Sequence, residues 1–399
     1  MAESLGEEFA RRLPARNATD PKYVPDLVDA LLAAARAAHA TDVHLIPCAS
    51  GMSMHWRIDG VLHRVADFPA VLSPKIAARL KVLAELLTYR TDVPQEGGLL
   101  GGSDTETRVS TFPTLFGEKI VVRLFVGAGT CRRLNELGLP EEVRERLQVL
   151  LNETSGVIVL TGPAGSGKTT TIYAALRELV DKSGGGRSLV SLEDPIEVVV
   201  PGVAQSQVRR DSEFNMETGL RSLLRQDPEV IMVGEIRDRA TAETVFQASL
   251  TGHLVLTTFH AGSAAQAVSR LSDMGIEPYL LRSGVLGIVS QRLVRRLCSC
   301  AIESTRADDR LGLEAPRVLL PAGCERCAGA GYRDRMVLAE MLIPNLKELG
   351  RAILSRNDAA EIEQLALQTG FVSLWNRGCA AVAAGLTSPA EVRRVLGFR

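Results

Sequence analysis

Residues 157–176 contain a glycine-rich loop whose residue types suit the binding of phosphate groups. Gly162–Thr169 matches the pattern G-x-x-x-x-G-K-[ST], and it lies between a short apolar run and a segment of helical composition. Glycines allow backbone N–H groups to curl around phosphate oxygens without a Cβ in the way. Lys168 supplies a positive charge to the β- and γ-phosphates, Thr169 offers a hydroxyl to Mg²⁺, and the helix N-terminus adds its dipole.

The flanking strand and helix favour a true nucleotide-binding loop over a fortuitous glycine-rich turn. We therefore expect a nucleotide to be held by its phosphates along this loop. The predicted contact positions are consecutive: Gly162, Pro163, Ala164, Gly165, Ser166, Gly167, Lys168, Thr169 and Thr170.

Two carboxylates follow the loop, each at the end of an apolar run. Glu193 comes after "SLVSL", and Glu235 comes after "EVIMV". If these runs are parallel strands, their carboxyl ends open on the crevice that holds the phosphates. One carboxylate can hold Mg²⁺ through water, and the other can orient or deprotonate the attacking water. The alternative is that both acids cap the helices that follow, but their position behind the loop favours a chemical role.

Histidines and arginines add further candidates for phosphate contacts. His253 and His260 flank the apolar run in "TGHLVLTTFHAG", and His260 stands where a γ-phosphate sensor is plausible, although a lone histidine is more often structural. The guanidinium fork of arginine matches phosphate geometry. Two pairs of arginines suggest a site closed between domains or subunits: Arg225 and Arg237 flank the third strand, and Arg108 and Arg123 lie on an earlier hairpin.

The elements that must position these residues form two regions. From residue 141 the pattern runs helix, strand, glycine loop, helix, strand, helix, strand, strand, helix, which indicates a wound α/β sheet. Residues 21–128 read as α+β, with a helix over Pro25–Ala40, a hairpin turn at Asp59-Gly60 and two strands in Thr107–Phe125. The predicted boundaries are a flexible segment 1–20, an α+β domain 21–128, a linker 129–140 and an ATPase domain 141–399.

Composition excludes several classes of protein. The 399 residues contain 46 basic and 47 acidic residues, so nothing draws the whole chain to nucleic acid or anionic lipid. No apolar run approaches the roughly 18 residues of a membrane span. The start "MAESLGEEFARRL" has no apolar region of a secretory signal. We expect a cytosolic protein, or one peripheral on a membrane, without disulfides among its seven cysteines.

Four stretches stand in a distinctive order: "GPAGSGKTTT", "EDPIE", "RQDPEVIMVGEIRD" and "TGHLVLTTFHA". They resemble the Walker A, Asp box, Walker B and His box of the secretion ATPase superfamily, more narrowly of its type II secretion and type IV pilus assembly ATPases. "ATDVHL", "RIDGVL" and "RVSTFPTLFGEKIVVRL" resemble motifs of that family's second N-terminal domain. The resemblance covers most of the chain. It implies a RecA-like P-loop NTPase domain preceded by a smaller α+β, PAS-like domain, and a homohexameric motor that uses ATP and Mg²⁺.

The resemblance also assigns roles to matching positions. Lys168 and Thr169 would bind phosphate and Mg²⁺, Glu193 would be the candidate general base, and Glu235 the Walker B carboxylate near the metal. His260 would sense the γ-phosphate, with His253 nearby. The arginines would complete the charge compensation, with Arg108 and Arg123 reaching in from the N-terminal domain and Arg225 and Arg237 from the ATPase domain.

The chain departs from the family in two features. We expect the membrane-recruitment domain that many members carry ahead of this core to be missing or reduced to about twenty residues. Docking to the inner-membrane platform is then expected to use another surface or another protein. The second feature is the cysteine pattern in the insert 298–335, where a C-x-C pair precedes a C-x-x-C pair. Four thiolates in two clusters favour a structural zinc site over free thiols. The proposed ligands are Cys298, Cys300, Cys324 and Cys327.

The function expected from these motifs is that of an ATP-hydrolysing motor, which powers pseudopilus assembly and protein export at the inner membrane. The alternative within the family is a type IV pilus extension ATPase. Retraction ATPases of the family usually lack the cysteine insert, so its presence favours export or assembly. A DNA-translocating conjugation ATPase would need a basic channel, and the sequence pI near 6.6 argues against it. A scaffold that binds ATP without hydrolysing it is disfavoured by the intact loop and carboxylates.

Overall fold

A computed structural model describes residues 5–13, 20–99, 107–124, 133–208, 214–315 and 317–398. The chain divides into two compact units. The first is formed by Met1–Thr130, Cys298–Ala301 and Pro321–Asp334, and the second by Cys131–Leu297, Ile302–Leu320 and Arg335–Arg399. Parts of the cysteine-rich segment thus group with the first unit, whereas 298–335 is predicted from the sequence to be an insert of the ATPase domain.

The first unit has an antiparallel sheet of six strands in the order β3-β2-β1-β6-β5-β4. Its strands are β1 (Asp42–Cys48), β2 (Gly51–Ile58), β3 (Val61–Pro69), β4 (Gln95–Gly98), β5 (Arg108–Thr114) and β6 (Gly117–Arg123). Its helices in the described ranges are α1 (Leu5–Arg11), α2 (Tyr23–Ala37) and α3 (Ser73–Leu83). The α+β character expected of this region agrees with the structure.

Alternation along the strands builds the core of this unit. Side chains of β1 and β2 alternate between buried and half-buried, so Leu45 and Trp56 pack in one cluster with Leu27 and Leu31 of α2. Asp59 and Gly60 both adopt positive φ, of 47° and 81°, between β2 and β3. This two-residue turn matches the twist of the flanking strands and confirms the predicted hairpin.

Helix α1 differs from the loose ordering expected of residues 1–20. Phe9 is buried, and its ring packs edge to face with the rings of Trp56 and Phe68, at centroid distances of 6.1 and 6.3 Å. Burying an aromatic ring offsets the conformational entropy lost in ordering a short helix. Because charged residues dominate this segment, the sequence did not indicate that Phe9 would be buried.

The second unit is built on a sheet of seven strands in the order β15-β12-β7-β11-β10-β8-β9. Its strands are β7 (Gly156–Thr161), β8 (Leu189–Glu193), β9 (Ala204–Gln207), β10 (Val230–Val233), β11 (Leu254–Phe259), β12 (Val285–Leu297) and β15 (Tyr332–Leu342). Two short strands, β13 (Ile302–Ser304) and β14 (Val318–Leu320), pair separately. Across the sheet, all neighbouring strands from β9 through β8, β10, β11 and β7 to β12 pair in parallel.

Helices accompany these strands. They are α4 (Glu141–Leu150), α5 (Lys168–Ser183), α6 (Met216–Leu223), α7 (Arg239–Leu250), α8 (Ala264–Asp273), α9 (Pro278–Ser283), α10 (Lys347–Leu354), α11 (Ala359–Leu367), α12 (Leu374–Ala383) and α13 (Pro389–Leu396). Every residue of β7 and β11 is buried, as expected of parallel strands with both faces covered. The wound α/β sheet predicted from residue 141 is thereby confirmed.

Between the glycine-rich loop and α8, the predicted pattern lacks two elements of the structure. The strands around 230–233 and 254–259 were expected to follow one another directly, but α7 separates them because parallel neighbours need a crossover connection. Asp238 caps α7 by accepting a bond from Thr241 N at 2.8 Å. The edge strand β9 has the polar sequence AQSQ and therefore gave no apolar signal.

A buried carboxylate fastens the last helix to the sheet. Glu391 of α13 accepts hydrogen bonds from Arg295 Nη2 at 2.7 Å and from Arg394 Nη2 at 2.6 Å. Its side chain is fully covered. Burial opposes ionisation, but the bonds from Arg394 and Arg295 outweigh it and hold the pKa of Glu391 at about 2.

We predict that Glu391→Gln lowers the free energy of unfolding at pH 7 by about 3 kcal/mol. A carboxyl whose pKa is depressed on folding contributes its full stability above the unfolded pKa, and loses it as the pH falls toward the folded value. The difference from the wild type should therefore shrink to about 2 kcal/mol at pH 3.5, as measured by urea denaturation. Glu361→Gln, on the exposed surface of α11, is the control. Equal losses at both pH values would rule out the charge of Glu391 as the cause.

Candidate active site

The glycine-rich loop joins the end of β7 to the start of α5, as the sequence analysis expects. Gly162, Gly165 and Gly167 have positive φ values of 143°, 74° and 93°. A Cβ at Gly162 would lie 2.6 Å from the carbonyl oxygen of Gln291 on β12. Only glycine satisfies both the backbone conformation and the close approach of the neighbouring strand at this position.

Lys168 lies inside this loop. Its Nζ donates to the carbonyl oxygens of Gly162 at 2.8 Å and Pro163 at 3.0 Å. Burial lowers the pKa of Lys168, and the charge of Glu235 opposes that effect. A buried ammonium beside a cradle of glycine N–H groups is an arrangement that suits phosphate binding.

Glu235 follows β10, and each of its two carboxylate oxygens contacts a charged or titratable side chain. His260 Nε2 lies 2.7 Å from Oε1, and Arg237 Nε donates to Oε2 at 2.7 Å. The other ring nitrogen of His260 lies 3.2 Å from the carbonyl oxygen of Gly162. The parallel strands β7, β10 and β11 therefore bring the loop, Glu235 and His260 together at their carboxyl ends.

Arg237 extends this group to a residue that the sequence analysis did not single out. Its Nη1 donates to Asp194 Oδ2 at 3.0 Å, directly after β8. Its hydrogen bond to Glu235 raises the pKa of Arg237. With Thr169, the carboxylate of Glu235 offers the oxygen ligands that Mg²⁺ prefers, so the residues present fit that ion.

Glu193 is buried beside the loop helix rather than exposed in an open crevice. Oε2 accepts a bond from the Tyr173 hydroxyl, and Oε1 accepts from Ser191 Oγ at 2.6 Å and Gln205 Nε2 at 2.9 Å. Tyr173 and Gln205 lay outside the sequence analysis because neither belongs to a motif of charged residues. The role of Glu193 as general base stays a prediction.

One predicted residue, His253, lies apart from this group. His253 precedes β11, and its Nδ1 lies 2.9 Å from the carbonyl oxygen of Ala248 at the end of α7. It stands at the opposite end of the strand from His260, roughly 20 Å away at 3.3 Å per residue, so the expectation that it lies near His260 is wrong. Arg225 donates hydrogen bonds to two residues of the preceding turn, from Nη1 to Arg221 O at 3.2 Å and from Nη2 to Ser222 Oγ at 3.4 Å.

Arg108 and Arg123 face each other on paired strands of the first unit. Arg123 Nε donates to Asp42 Oδ1 at 3.2 Å, and Arg108 Nη1 lies 3.9 Å from Glu96 Oε1. Both guanidinium groups thus occur at one end of the same hairpin. Their contact with a nucleotide remains a prediction.

The four cysteines of the insert form one cluster. Their sulfur atoms all lie within 4.8 Å of one another, with Cys298–Cys324 at 3.8 Å and Cys300–Cys327 at 3.9 Å. Thiolates bound tetrahedrally at about 2.3 Å from a zinc ion would lie about 3.8 Å apart, so the cluster fits a metal. Burial opposes ionisation of Cys327, but N–H groups of Cys324 and Gly331 outweigh it and lower its pKa.

A match to a protein family shows to which family the chain belongs. Residues 17–394 match the model of the type II/IV secretion system protein family. The chain belongs to this family. It is a secretion-system ATPase, which confirms the activity expected from the motifs.

Individual family members are similar over nearly the whole chain. Type II secretion system protein E of Pectobacterium carotovorum subsp. carotovorum is 39% identical over 413 residues, covering 99% of this chain and 82% of the relative. Type II secretion system ATPase E of Vibrio cholerae is 37% identical, covering 98% and 79%. The type IV pilus assembly ATPase PilB of Thermus thermophilus is 34% identical, covering 97% and 45%.

Two solved structures share the fold of this chain. The ATPase DotB of Legionella pneumophila aligns with a TM-score of 0.69 at 21% identity, covering 96% of this chain and 97% of that chain. The pilus retraction motor PilT, solved with bound ADP, aligns with a TM-score of 0.61 at 25% identity, covering 91% and 95%. Within the described ranges, none of the helices has the length and apolar character needed to span a bilayer.

We predict that Gly162→Ala weakens ATP binding by this ATPase about tenfold or more, because the added Cβ displaces the loop from Gln291. Titration with a fluorescent ATP analogue measures the dissociation constant. Gly370→Ala is the matched control, because Gly370 also has a positive φ, of 85°, but a Cβ there meets nothing within 4 Å. Equal affinity of the Gly162 variant and the wild type would contradict the assigned loop geometry.

Proposed function

We propose that this ATPase powers pseudopilus assembly and protein export by a type II secretion system. The observation that carries the proposal is the convergence of the loop, Glu235 and His260 at one edge of the sheet. Support for type II secretion comes from relatives that bear that name and align with 98–99% of the chain. The similarity to PilB of Thermus thermophilus keeps type IV pilus extension as the second candidate.

The proposed reaction is hydrolysis of ATP at the glycine-rich loop. Lys168 and the loop N–H groups hold the phosphates, and Glu193 takes a proton from a water molecule. The water oxygen bonds to the γ-phosphorus while the bond to the β-phosphate oxygen breaks, so that ADP and phosphate leave. Mg²⁺, when bound, would neutralise phosphate charge, with Thr169 and Glu235 as the residues that hold it.

The arginines supply positive charge around the transferred phosphate. Arg237 is held by Glu235 and Asp194, and Arg225 follows α6 in the same unit. Arg108 and Arg123 are proposed to reach the nucleotide from the first unit. Loss of the γ-phosphate would release the arginines of both the PAS-like and the RecA-like domain, and this release would drive the movement.

A homohexamer would turn this change into a cyclic movement. The moving surface would act on an inner-membrane platform protein that assembles pilin-like subunits. We place the ATPase in the cytoplasm, peripheral to the inner membrane through such partners. No nucleic acid is part of the proposal, since basic and acidic residues balance at 46 and 47.

Zinc is the metal proposed for the cysteine cluster. The spacing of the sulfurs matches tetrahedral coordination, and such a site would hold together the two short segments that carry the ligands. Its proposed role is structural, because four protein ligands leave no open position for substrate.

Lys168→Ala should reduce phosphate release from ATP by about a hundredfold or more, because the loop loses its buried cation. Secretion, or pilus assembly for the second candidate, should stop in cells that carry only this variant. Lys182→Ala is the control, because Lys182 lies at the other end of α5 and pairs with Glu178 at 3.0 Å. Full secretion by the Lys168 variant would overturn the motor function.

Cys324→Ser should reduce bound zinc from about one ion per chain to near zero, because a neutral hydroxyl is a poor replacement for a thiolate. Metal analysis of the purified protein by mass spectrometry measures the content. Cys48→Ser is the control, since Cys48 lies on β1 outside the cluster. Unchanged zinc in the Cys324 variant would exclude this set of ligands.

A further inference from the structure

A tyrosine on the loop helix holds the carboxylate of Glu193. Tyr173 lies four positions after Thr169 on α5, so the two residues share one face of that helix. The Tyr173 hydroxyl donates to Glu193 Oε2 and accepts a bond from the backbone N–H of Glu197 at 3.0 Å. One buried hydroxyl thus joins the phosphate-binding helix, the candidate base and the segment that follows β8.

The opposite side of the carboxylate is held by Gln205 on the edge strand β9. Its Nε2 donates to Glu193 Oε1 at 2.9 Å and to Val198 O at 3.0 Å, and its Oε1 accepts from Val200 N at 2.6 Å. Since both groups of the Gln205 amide are engaged, its orientation is fixed. Ser191 Oγ adds a bond to the same Oε1 at 2.6 Å.

Three side-chain donors in the described part of the chain therefore fix the plane of this carboxylate. Oε1 accepts two of these bonds and Oε2 accepts one. Each carboxylate oxygen has two lone-pair sites, so Oε2 keeps one site for the proton of a water molecule. Burial raises the pKa of Tyr173, and the charge of Glu193 raises it further, so Tyr173 remains a donor at neutral pH.

We propose that Tyr173 is a positioning residue for ATP hydrolysis, which fixes Glu193 relative to the helix that binds the phosphates. Gln205 completes the clamp from the other side. The inference rests on the proposed role of Glu193 as general base. Its physical reason is that displacement of a reacting group by about 1 Å costs about a hundredfold in rate, whereas ground-state binding depends on the loop itself.

The test is Tyr173→Phe in the full-length protein, which removes the hydroxyl and keeps the ring. We expect kcat for phosphate release to fall about tenfold or more, while KM for ATP changes by less than about twofold. Gln205→Ala should reduce kcat in the same way. Tyr279→Phe, at an exposed position of α9, is the matched control and should match the wild type.

A double mutant separates positioning from general structural support. Glu193→Gln alone should lower kcat about a hundredfold or more, as followed by single-turnover assays with γ-labelled ATP. Adding Tyr173→Phe to this variant should lower kcat by less than about twofold further, because there is no longer a base to position. The melting temperature of each variant shows whether the protein is folded at the assay temperature.

Three outcomes would overturn the inference. Tyr173→Phe could retain full kcat, or it could lower kcat equally with and without Glu193→Gln, which would indicate a structural role alone. Full kcat in Glu193→Gln would remove the base that Tyr173 is proposed to position. The proposed function fails separately, through full hydrolysis by Lys168→Ala, so the two failures are distinguishable.

Discussion

Parallel pairing of the strands in the second unit is the constraint on which the site depends. Because β7, β11, β10 and β8 run in the same direction, the residues that follow them meet at one edge of the sheet. The glycine loop, His260, Glu235 and Asp194 occupy these four strand ends in turn. Residues about a hundred positions apart in the chain, such as Gly162 and His260, thereby lie within hydrogen-bonding distance. Helices on both faces of the sheet exclude water from its strands.

Buried carboxylates connect this edge to the helices at the C-terminal end of the unit. Glu340 accepts bonds from Ala264 N at 2.8 Å and from Leu374 N at 2.7 Å, so it caps both α8 and α12. Burial raises the pKa of Glu340, and the two N–H groups partly offset that effect. Since α8 follows His260, Glu340 links that part of the chain to α12, and Glu391 fastens α13 to β12.

The site shows how the same residue types serve different purposes within one unit. Glu235 contacts His260 and Arg237 through its two oxygens at the carboxyl end of β10. Among the described residues, the side chains that donate to Glu193 are all neutral, and hydrogen bonds from them hold this buried carboxylate in place. Such a division suits a reaction in which one carboxylate acts beside the metal and the other acts on water.

The sequence by itself determined the features that depend on neighbouring residues. These are the loop between strand and helix, the apolar strands, the turn at Asp59-Gly60 and the four clustered cysteines, because each has a local signature in spacing or composition. Only the tertiary structure brought Asp194 to Arg237 and Tyr173 to Glu193, separated His253 from His260, and inserted α7 between two strands. These contacts depend on how distant segments pack against one sheet, and no pattern within a short stretch of sequence encodes that packing.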